Sequence, residues 1–280
     1  MMTGGKGRGA APRTGPRGMD PGRREAIGVL GAAGIALFLG CGEETVLAST
    51  DGGSGLTGTD GGPGATDGGP SSCILDPNLT KGPYWIDERL DRSDIRSDTH
   101  GLASPDPRPG LPLALQFAVH AYSAGGCTPL PGAQVDIWHC DGSGLYSDVA
   151  NLGGTSTLGQ NFLRGYQVTD LNGIVGFTTI YPGWYSGRAV HIHVKVRLFD
   201  ASSNTTTEAT TQVFFDDSVS DAVFGANAPY DTRGARDTRN AADGIYAGRS
   251  QLLLSLQGTA TAGYAGTATL GIQVGTVSAG

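Results

Sequence analysis

The sequence predicts an all-β protein whose core is an antiparallel β-sandwich or barrel with long loops, preceded by an export signal and a disordered tether. Two observations on residues 73–280 predict the core: apolar residues recur with period two in short runs, and Gly, Pro, Asp or Asn bounds most of these runs. No stretch of this segment shows a long helical period. Short strands separated by turn signals favour two packed sheets or a closed barrel. The chemistry must then lie on strand ends and loops.

The candidate strands can be taken in chain order. In the first, every second residue from 113 to 119 is large and apolar, while Gln116 and His120 point to the opposite face. The second holds Val135 and Ile137 with the same alternation. The further candidate strands are residues 173–181, 190–199, 208–215, 252–256 and 267–274.

The first forty residues have the composition of an export signal. Six Lys or Arg residues against Asp20 and Glu25 give a net charge of +4, and an uncharged apolar run, IGVLGAAGIALFLG, occupies residues 27–40. This run is too short for a membrane-spanning helix, which needs about 20 residues, but it suits the core of a signal peptide. Arg23 and Arg24 directly before it fit a twin-arginine signal and also the basic region of a general secretion signal, so the route stays open.

A second export feature follows at Cys41. Residues 38–41, Phe-Leu-Gly-Cys, resemble a lipoprotein cleavage box, although Phe38 departs from the aliphatic residue usual there. Residues 41–72 are then a predicted flexible tether, because a stretch so rich in Gly, Ser, Thr and Asp cannot bury enough apolar surface to offset its ordering entropy. We therefore expect an exported protein in the periplasm, at the cell surface or outside the cell, with lipid anchoring of Cys41 left open.

Charge and cysteine usage narrow the functions. The +4 of the first forty residues, subtracted from the −7 of the whole chain, leaves −11 for the remainder, which disfavours nucleic-acid binding. Beyond Cys41 the cysteines are Cys73, Cys127 and Cys140, so one pair can form a disulfide and leave one thiol, but the sequence does not choose the pair. No two of them have the CxxC-like spacing of a metal site.

Two histidines stand two residues apart inside a predicted strand, VHIHVKV. His191 and His193 therefore leave one face of the strand, while Ile192 leaves the other. Two imidazoles so placed can bind one metal ion. The alternative is a polar strand face that also includes Lys195 and Arg197.

Two tyrosines accompany the histidines. Tyr185 lies in YPGWYSGR, a Pro-Gly turn directly upstream of the histidine strand, and Tyr146 follows the glycine-rich turn DGSGL. Tyrosines at strand ends are usually half-buried packing residues with a hydrogen-bonded hydroxyl. Neither tyrosine alone indicates a metal site.

Taken together, these segments resemble the intradiol ring-cleavage dioxygenases, most closely the secreted single-domain relatives of protocatechuate 3,4-dioxygenase. The segments IWHCDGSGLYSD, FLRGYQVTD, YPGWYSGRAVHIHV and TTQVFF agree with that family in order and spacing. LTKGPYWIDERLDRSDIR at 79–96 and RGARDTRNAADGIY at 233–246 look like stretches of the same exported group. The resemblance covers about residue 73 to the C-terminus. Lys81 departs from the pattern, since an acidic residue is expected there.

The resemblance implies one mononuclear non-haem Fe(III) ion per chain, bound by Tyr146, Tyr185, His191 and His193. Phenolate is a hard anionic oxygen donor that suits Fe(III). A free tyrosine has a pKa near 10, so the metal must supply the drive to ionise it. The implied reaction uses O2 to cleave a catechol-type ring between its two hydroxylated carbons, which gives a muconate-type diacid.

The resemblance also assigns roles to residues around the metal. A binding catechol displaces Tyr185, whose phenolate takes up a catechol proton. Arg188 stabilises the anionic substrate, and Gln212, in TTQVFF, matches a family glutamine near the active centre. The residues expected to line the substrate pocket are Pro83, Tyr84 and Trp184, next to Gly82. For these residues, packing within the fold is the alternative.

Two other functions stay open. The domain could be a non-catalytic tethered binding module on the same scaffold, because fold does not fix function, or a zinc hydrolase that uses the two histidines. The complete four-ligand set argues against the first, and the missing carboxylate or thiolate ligand against the second. Which catechol is cleaved, and the oligomeric state, are not predicted. The tether stands where catechol 1,2-dioxygenases have a helical domain, which favours the protocatechuate-like branch, with Lys81, Arg92 and Arg96 as candidate cations for an anionic ring substituent.

Overall fold

Two β-sheets form the described part of the chain, which comprises residues 75–100, 106–150 and 154–277 of this computed structural model. The chain divides into two units, Met1–Gly62 and Pro63–Gly280, and the described residues all belong to the second. The predicted export signal and tether lie outside the described residues. Within those ranges no helix is both long and apolar enough to cross a membrane.

Among the described residues, the elements follow one another with one short α-helix among them. The strands are β1 (Pro112–Ser123), β2 (Gly126–Pro129), β3 (Gln134–Trp138), β4 (Arg164–Val168), β5 (Ile174–Ile180), β6 (His191–Phe199), β7 (Thr205–Phe214), β8 (Ser255–Thr259) and β9 (Gly263–Ile272). The helix α1 spans Asp217–Ala226, and short 3-10 helices span Tyr230–Arg233, Asn240–Ala242 and Ser250–Leu252.

One sheet has the order β2-β1-β9-β8, with β5 also paired to β1, and the other has the order β4-β3-β6-β7. Alternate apolar residues of β1 and β6, such as Phe117 and Ile192, meet in a single core cluster. The two-sheet, mostly antiparallel architecture confirms the predicted fold class. One pair departs from it: β1 and β9 run parallel, because period-two alternation reports which face is buried and not the direction of the neighbouring strand.

The structure corrects three details of the sequence analysis. Strands β2 and β4 are not among the candidates, and residues 252–256 are not one strand, since a 3-10 helix ends at Leu252 and β8 begins at Ser255. The helix α1 is also missed, because its buried residues are few and include Ser220, so no apolar stripe marks it. Its start does carry a signal: the Asp216 side chain accepts the Ser218 N–H at 2.7 Å, which is a helix N-cap.

The described cysteines differ in state. Cys127 is disulfide-bonded, whereas Cys140 is a free, buried thiol. Burial raises the pKa of the Cys140 thiol, so this cysteine is a neutral packing residue. The odd thiol that the sequence analysis expects is therefore Cys140.

Candidate metal centre

Four side chains named in the sequence analysis converge at the start of β6. The Nε2 atoms of His191 and His193 are 3.2 Å apart, and the Tyr185 hydroxyl lies 3.1 Å from His191 Nε2. The ring of Tyr146 stands edge-on to Tyr185 with centroids 5.7 Å apart and is 6.2 Å from the ring of His193. The structure thus brings the four predicted metal ligands to one place.

The alternation of β6 places both histidines on the face that turns away from the core. Trp138 of β3 pairs with His193 across the strands and lies parallel to its ring, with centroids 4.7 Å apart and an interplanar angle of 6°. Gly82 packs against the same ring from another side. A Cβ built on Gly82, whose φ is +68°, would stand 3.3 Å from His193 Cε1, so glycine permits this approach.

The loop that carries Tyr146 is organised by Asp141. Its Oδ1 accepts the N–H groups of Ser143 and Leu145 at 2.9 and 3.0 Å. Its backbone carbonyl accepts the N–H groups of Gly144 and Gly183 at 2.9 and 3.1 Å. Gly183 belongs to the Pro-Gly turn that carries Tyr185, so Asp141 joins the two tyrosine-bearing loops. The sequence analysis assigns no role to this aspartate.

Burial keeps the four side chains neutral when no cation is bound. It lowers the pKa of His191 to about 3 and that of His193 well below its ordinary value. It raises the pKa of Tyr185 to about 12 and that of Tyr146 well above its ordinary value. Neutral imidazoles are the form that binds metals, whereas the two phenols need a nearby positive charge to ionise.

The hydrogen bonds of the site also suit a metal ion. The Nδ1–H of His191 donates to the Ala189 carbonyl at 2.7 Å, which leaves the Nε2 lone pair facing the centre. Within the described ranges, the buried Tyr146 hydroxyl makes no hydrogen bond of normal geometry. The two Nε2 atoms, 3.2 Å apart, are near enough to bind one ion.

The donor set would have to include the tyrosines. No group of three or more His, Cys, Asp or Glu side chains in residues 75–100, 106–150 and 154–277 could hold a metal ion. An ion at this place would therefore combine the two imidazole nitrogens with the two phenolic oxygens. This is a hard, anionic donor set, unlike the closed Cys and His sets of structural zinc sites.

Arg188 and Gln212, the two other predicted catalytic residues, contact each other beside the histidines. Arg188 Nη2 donates to Gln212 Oε1 at 2.5 Å, and Arg188 Nη1 is 3.4 Å from His191 Nε2. Gln212 lies on β7 opposite His193 and is fully buried, and its Nε2 donates to the Thr80 carbonyl at 3.1 Å. Gln212 is therefore a buried side chain with a partner for each of its amide atoms.

The three predicted pocket residues differ in their contacts. The ring of Tyr84 stacks on that of Tyr146, with centroids 4.5 Å apart, and stands edge-on to that of Tyr185 at 6.0 Å. Trp184 packs on the core cluster, and the guanidinium of Arg233 lies 4.6 Å from its ring centroid. Pro83 is exposed between Gly82 and Tyr84. Only Tyr84 thus touches the candidate ligands directly.

The three candidate cations for an anionic ring substituent also differ in their contacts. Arg92 donates to the carbonyls of Arg164, Ser97 and Asn161, so its guanidinium holds the backbone together. Arg96 pairs with Asp94. Neither arginine faces the centre, whereas Lys81 directly precedes Gly82, the residue in contact with His193.

Besides Asp141, two residues near the centre, Trp138 and Asp243, are not predicted as site residues from the sequence. Trp138 stacks on His193, and only the register between β3 and β6 brings them together. Asp243 accepts the Arg188 Nε–H at 2.9 Å and the Ala189 N–H at 2.8 Å, from a segment more than fifty residues further along the chain. The motif RGARDTRNAADGIY contains Asp243, but its spacing from Arg188 gives no sign of the contact.

Comparisons with known proteins show which family this chain resembles. A family model described as Dioxygenase matches residues 80–228. An intradiol ring-cleavage dioxygenase from Tetranychus urticae is 30% identical with a TM-score of 0.61, and the match covers 74% of this chain and 98% of that chain. A second dioxygenase crystal structure is also 30% identical, with a TM-score of 0.62 and the same coverage.

A third similar structure is the dioxygenase domain of a fusion with a carbohydrate-binding protein, from the cellulolytic bacterium Streptomyces sp. SirexAA-E. It is 25% identical with a TM-score of 0.46, and the match covers 72% of this chain and 99% of that chain. No curated protein matches the sequence of this chain.

Proposed function

The chain belongs to the intradiol ring-cleavage dioxygenase family, and on this premise we propose that it is a non-haem Fe(III) enzyme acting on a catechol-type substrate. The enzyme would use O2 to cleave the ring between its two hydroxylated carbons and would release a muconate-type diacid. The observation that supports this function is the convergence of the Tyr185 hydroxyl, the Tyr146 ring and two imidazole Nε2 atoms, with a cationic arginine beside them.

Tyr146, Tyr185, His191 and His193 would hold one ferric ion per chain. Hard phenolate oxygens suit Fe(III), and two of them offset much of its charge. When bound, the iron would supply the positive charge that ionises the phenols and withdraws electron density from the catechol ring. The residues themselves would provide the donor atoms.

The two tyrosines are suited to different roles because their burial differs. Tyr146 is fully buried under Tyr84, whereas Tyr185 is only partly buried in the Pro-Gly turn. We therefore assign Tyr146 as the fixed ligand and Tyr185 as the ligand that a catechol displaces. Burial raises the pKa of Tyr185 to about 12, so its displaced phenolate would take up a catechol proton at Oη and hold it.

Arg188 would act on the negative charge of the substrate ring. Its side chain is 17% exposed, and its Nη1 is directed towards His191. A fixed positive charge aimed at the place where negative charge develops lowers the barrier without reorganisation during the reaction. Gln212 would hold this guanidinium by accepting its Nη2–H.

Tyr84, Trp184 and Pro83 are proposed to form the walls around the substrate ring. Tyr84 already stacks on one candidate ligand, and Trp184 directly precedes another. Aromatic walls bind a flat ring and keep water out of the site. Lys81, at the same edge, is the cation we propose for substrates that carry an anionic substituent.

Purification of the full chain tests this function. We expect about one iron per chain, a broad visible absorption band from tyrosinate ligation, and O2 uptake with at least one member of a catechol panel. Mass analysis should show a muconate-type product that contains both atoms of O2. Stoichiometric zinc without a visible band would refute the metal assignment. Binding of many catechols without O2 uptake would favour the non-catalytic binding module.

The cellular location is a separate proposal, which rests on residues 1–72 alone. The basic start and the apolar run at 27–40 favour export, and the Cys41 motif favours a lipid anchor followed by the tether. In a host that processes such signals, the mature protein should be missing from the cytoplasmic fraction. Cys41→Ser should move it from the membrane to the soluble exported fraction, and an unchanged membrane fraction would refute anchoring at this residue.

A further inference from the structure

Asp243 is a buried carboxylate that lies beyond the region matched by the family model, residues 80–228. It accepts four hydrogen bonds. Its Oδ1 takes the N–H groups of Ile245 and Tyr246 at 2.7 and 3.2 Å, which ties the carboxylate to its own loop. Its Oδ2 takes the Ala189 N–H at 2.8 Å and the Arg188 Nε–H at 2.9 Å. The carboxylate therefore connects a distant segment to the residues just before β6.

These contacts fix the direction of the Arg188 guanidinium. The guanidinium is planar and its donors have a fixed geometry, so holding two of its nitrogens determines where the third one points. Asp243 holds Nε, and Gln212 holds Nη2. The remaining Nη1 then points to His191 Nε2, at 3.4 Å.

The same carboxylate also steadies a peptide group that serves the metal site. Asp243 Oδ2 accepts the N–H of Ala189, and the carbonyl of Ala189 accepts the Nδ1–H of His191. One buried oxygen is thus connected both to the catalytic arginine and to the residue that fixes the His191 tautomer. A group that only stabilised the loop would not need the bond to Arg188.

We propose that Asp243 is a positioning residue that aims Arg188 at the substrate. This inference rests on the proposed function, because the aim matters only if negative charge develops at the centre. If Asp243 acted only through its charge, its removal would have the opposite effect on the reaction rate. A carboxylate beside Arg188 weakens the field of the guanidinium, so its removal would then speed the reaction. Positioning predicts that its removal slows the reaction.

The test compares four variants of the full chain. They are Asp243→Asn, Arg188→Ala, the double variant of these two, and Asp237→Asn as a matched control. Asp237 lies in the same segment and accepts the Gly187 N–H at 3.2 Å, but it does not touch Arg188. The measurements are iron content, the visible band, kcat and KM for a catechol that the wild type cleaves, and the thermal midpoint.

Asp243→Asn should keep iron and colour and should lower kcat about 10²-fold with KM little changed, since displacing a reacting group by about 1 Å can cost that much. The double variant should be no slower than Arg188→Ala, because residues that act as a unit are not additive. Asp237→Asn should stay within about twofold of wild type, as exposed substitutions usually do. Multiplied losses in the double variant, a faster Asp243→Asn enzyme or loss of iron would overturn the proposal.

A stability cycle separates this proposal from the proposed function. Arg188→Ala leaves the Asp243 carboxylate buried without its cation, so the double variant should melt at or above the temperature of Arg188→Ala. This measurement needs no iron and no substrate. If the wild type cleaves no catechol, the proposed function fails and the positioning role fails with it, even where the cycle shows that the two side chains are coupled. Additive losses of midpoint would overturn the contact itself.

Discussion

The polar face of β6 has two halves that lie side by side but satisfy their charges differently. The near half carries His191 and His193, and the far half carries Lys195 and Arg197. In the far half, Lys195 pairs with Glu208, and Arg197 pairs with both Asp136 and Asp87. In the near half, His191 meets the Tyr185 hydroxyl, the two histidines meet each other, and no carboxylate among the described residues accepts a hydrogen bond from their rings. Both halves are buried beneath the segment that carries Tyr84 and Trp85.

The difference shows how a fold can place a charge cluster that is complete within the protein beside the proposed metal site. Cations of the far half find their anions within the protein, so that half is complete without any ligand. The near half offers four electron-pair donors, and a cation bound there, as the proposed function requires, would complete it. In both halves burial raises the free-energy cost of leaving a polar group without a partner, because water is not there to bind it.

Removing a donor from the near half should give the largest effect. We expect His193→Ala to lose iron, the visible band and all ring cleavage, because one of four ligands is gone. Lys195→Met, two residues along the same face, is the matched control and should keep iron and colour. Metal analysis with absorption spectroscopy and O2 uptake checks both variants. Stoichiometric iron in His193→Ala would contradict the ligand assignment.

Removing the cation beside the near half should slow the reaction without emptying the site. Arg188→Ala should lower kcat about 10²–10³-fold, the usual scale for one lost electrostatic donor. Iron content and the spectral change on anaerobic catechol binding should persist, since the interaction is stronger in the transition state than in the ground state. Turnover equal to that of the wild type would show that Arg188 has no catalytic part.

Removing the central cation of the far half should affect stability and not chemistry. Arg197→Met leaves Asp136 buried without its partner, and we expect a loss of about 2–3 kcal/mol in the free energy of unfolding near pH 7. The figure lies at the low end for broken buried pairs because Asp87 is 36% exposed. Iron per folded chain should not change. Denaturant unfolding and metal analysis check this, and loss of iron would mean that the two halves are coupled.

The smallest effect should come from the pH dependence within the far half. Burial raises the pKa of Asp136 to about 6, whereas the hydrogen bond from Arg197 lowers the pKa of the more exposed Asp87. Ionising Asp136 is thus harder in the folded state, and its contribution to stability is lost as the pH rises from about 4 to about 6. Asp87 has the opposite sign: its contribution is present above pH 4 and is lost as the pH falls further.

Denaturant unfolding of Asp136→Asn and Asp87→Asn from about pH 6 down to well below pH 4 measures both signs. The stability of Asp136→Asn relative to wild type should rise by about 2 kcal/mol between pH 4 and pH 6. The stability of Asp87→Asn relative to wild type should instead fall as the pH rises above its carboxyl pKa. Parallel curves for the two variants would contradict the assigned burial difference.

The comparison also explains which features the sequence could predict. Alternation along β6 predicts that Ile192 faces the core and that His191 and His193 share the other face, because period two is a local property. The motif with Tyr185 and Arg188 lies directly before the same strand, so it too is local. The alternation suggests a solvated polar face at Lys195 and Arg197, yet the structure buries it. Burial there depends on Trp85, from a separate segment.

What the sequence could not predict depends on pairing over long distances. The stacking of Trp138 on His193 requires the register of β3 against β6, and the contact of Asp243 with Arg188 requires the return of the chain after α1. Neither has a signature in spacing. Arg92 shows the converse: a charged residue near the right motif binds carbonyl groups instead of substrate.

The parallel pairing of β1 with β9 has a consequence for how the molecule is made. Leu113 of β1 lies beside Tyr264 of β9, 151 positions later in the chain. The sheet of β1 is therefore complete only after β9 has been synthesised. Such non-local pairing folds slowly, because the loop must close before the contacts form. Asp243 also enters late in synthesis, after every candidate ligand. Most of the described residues must therefore leave the ribosome before Asp243 can contact Arg188.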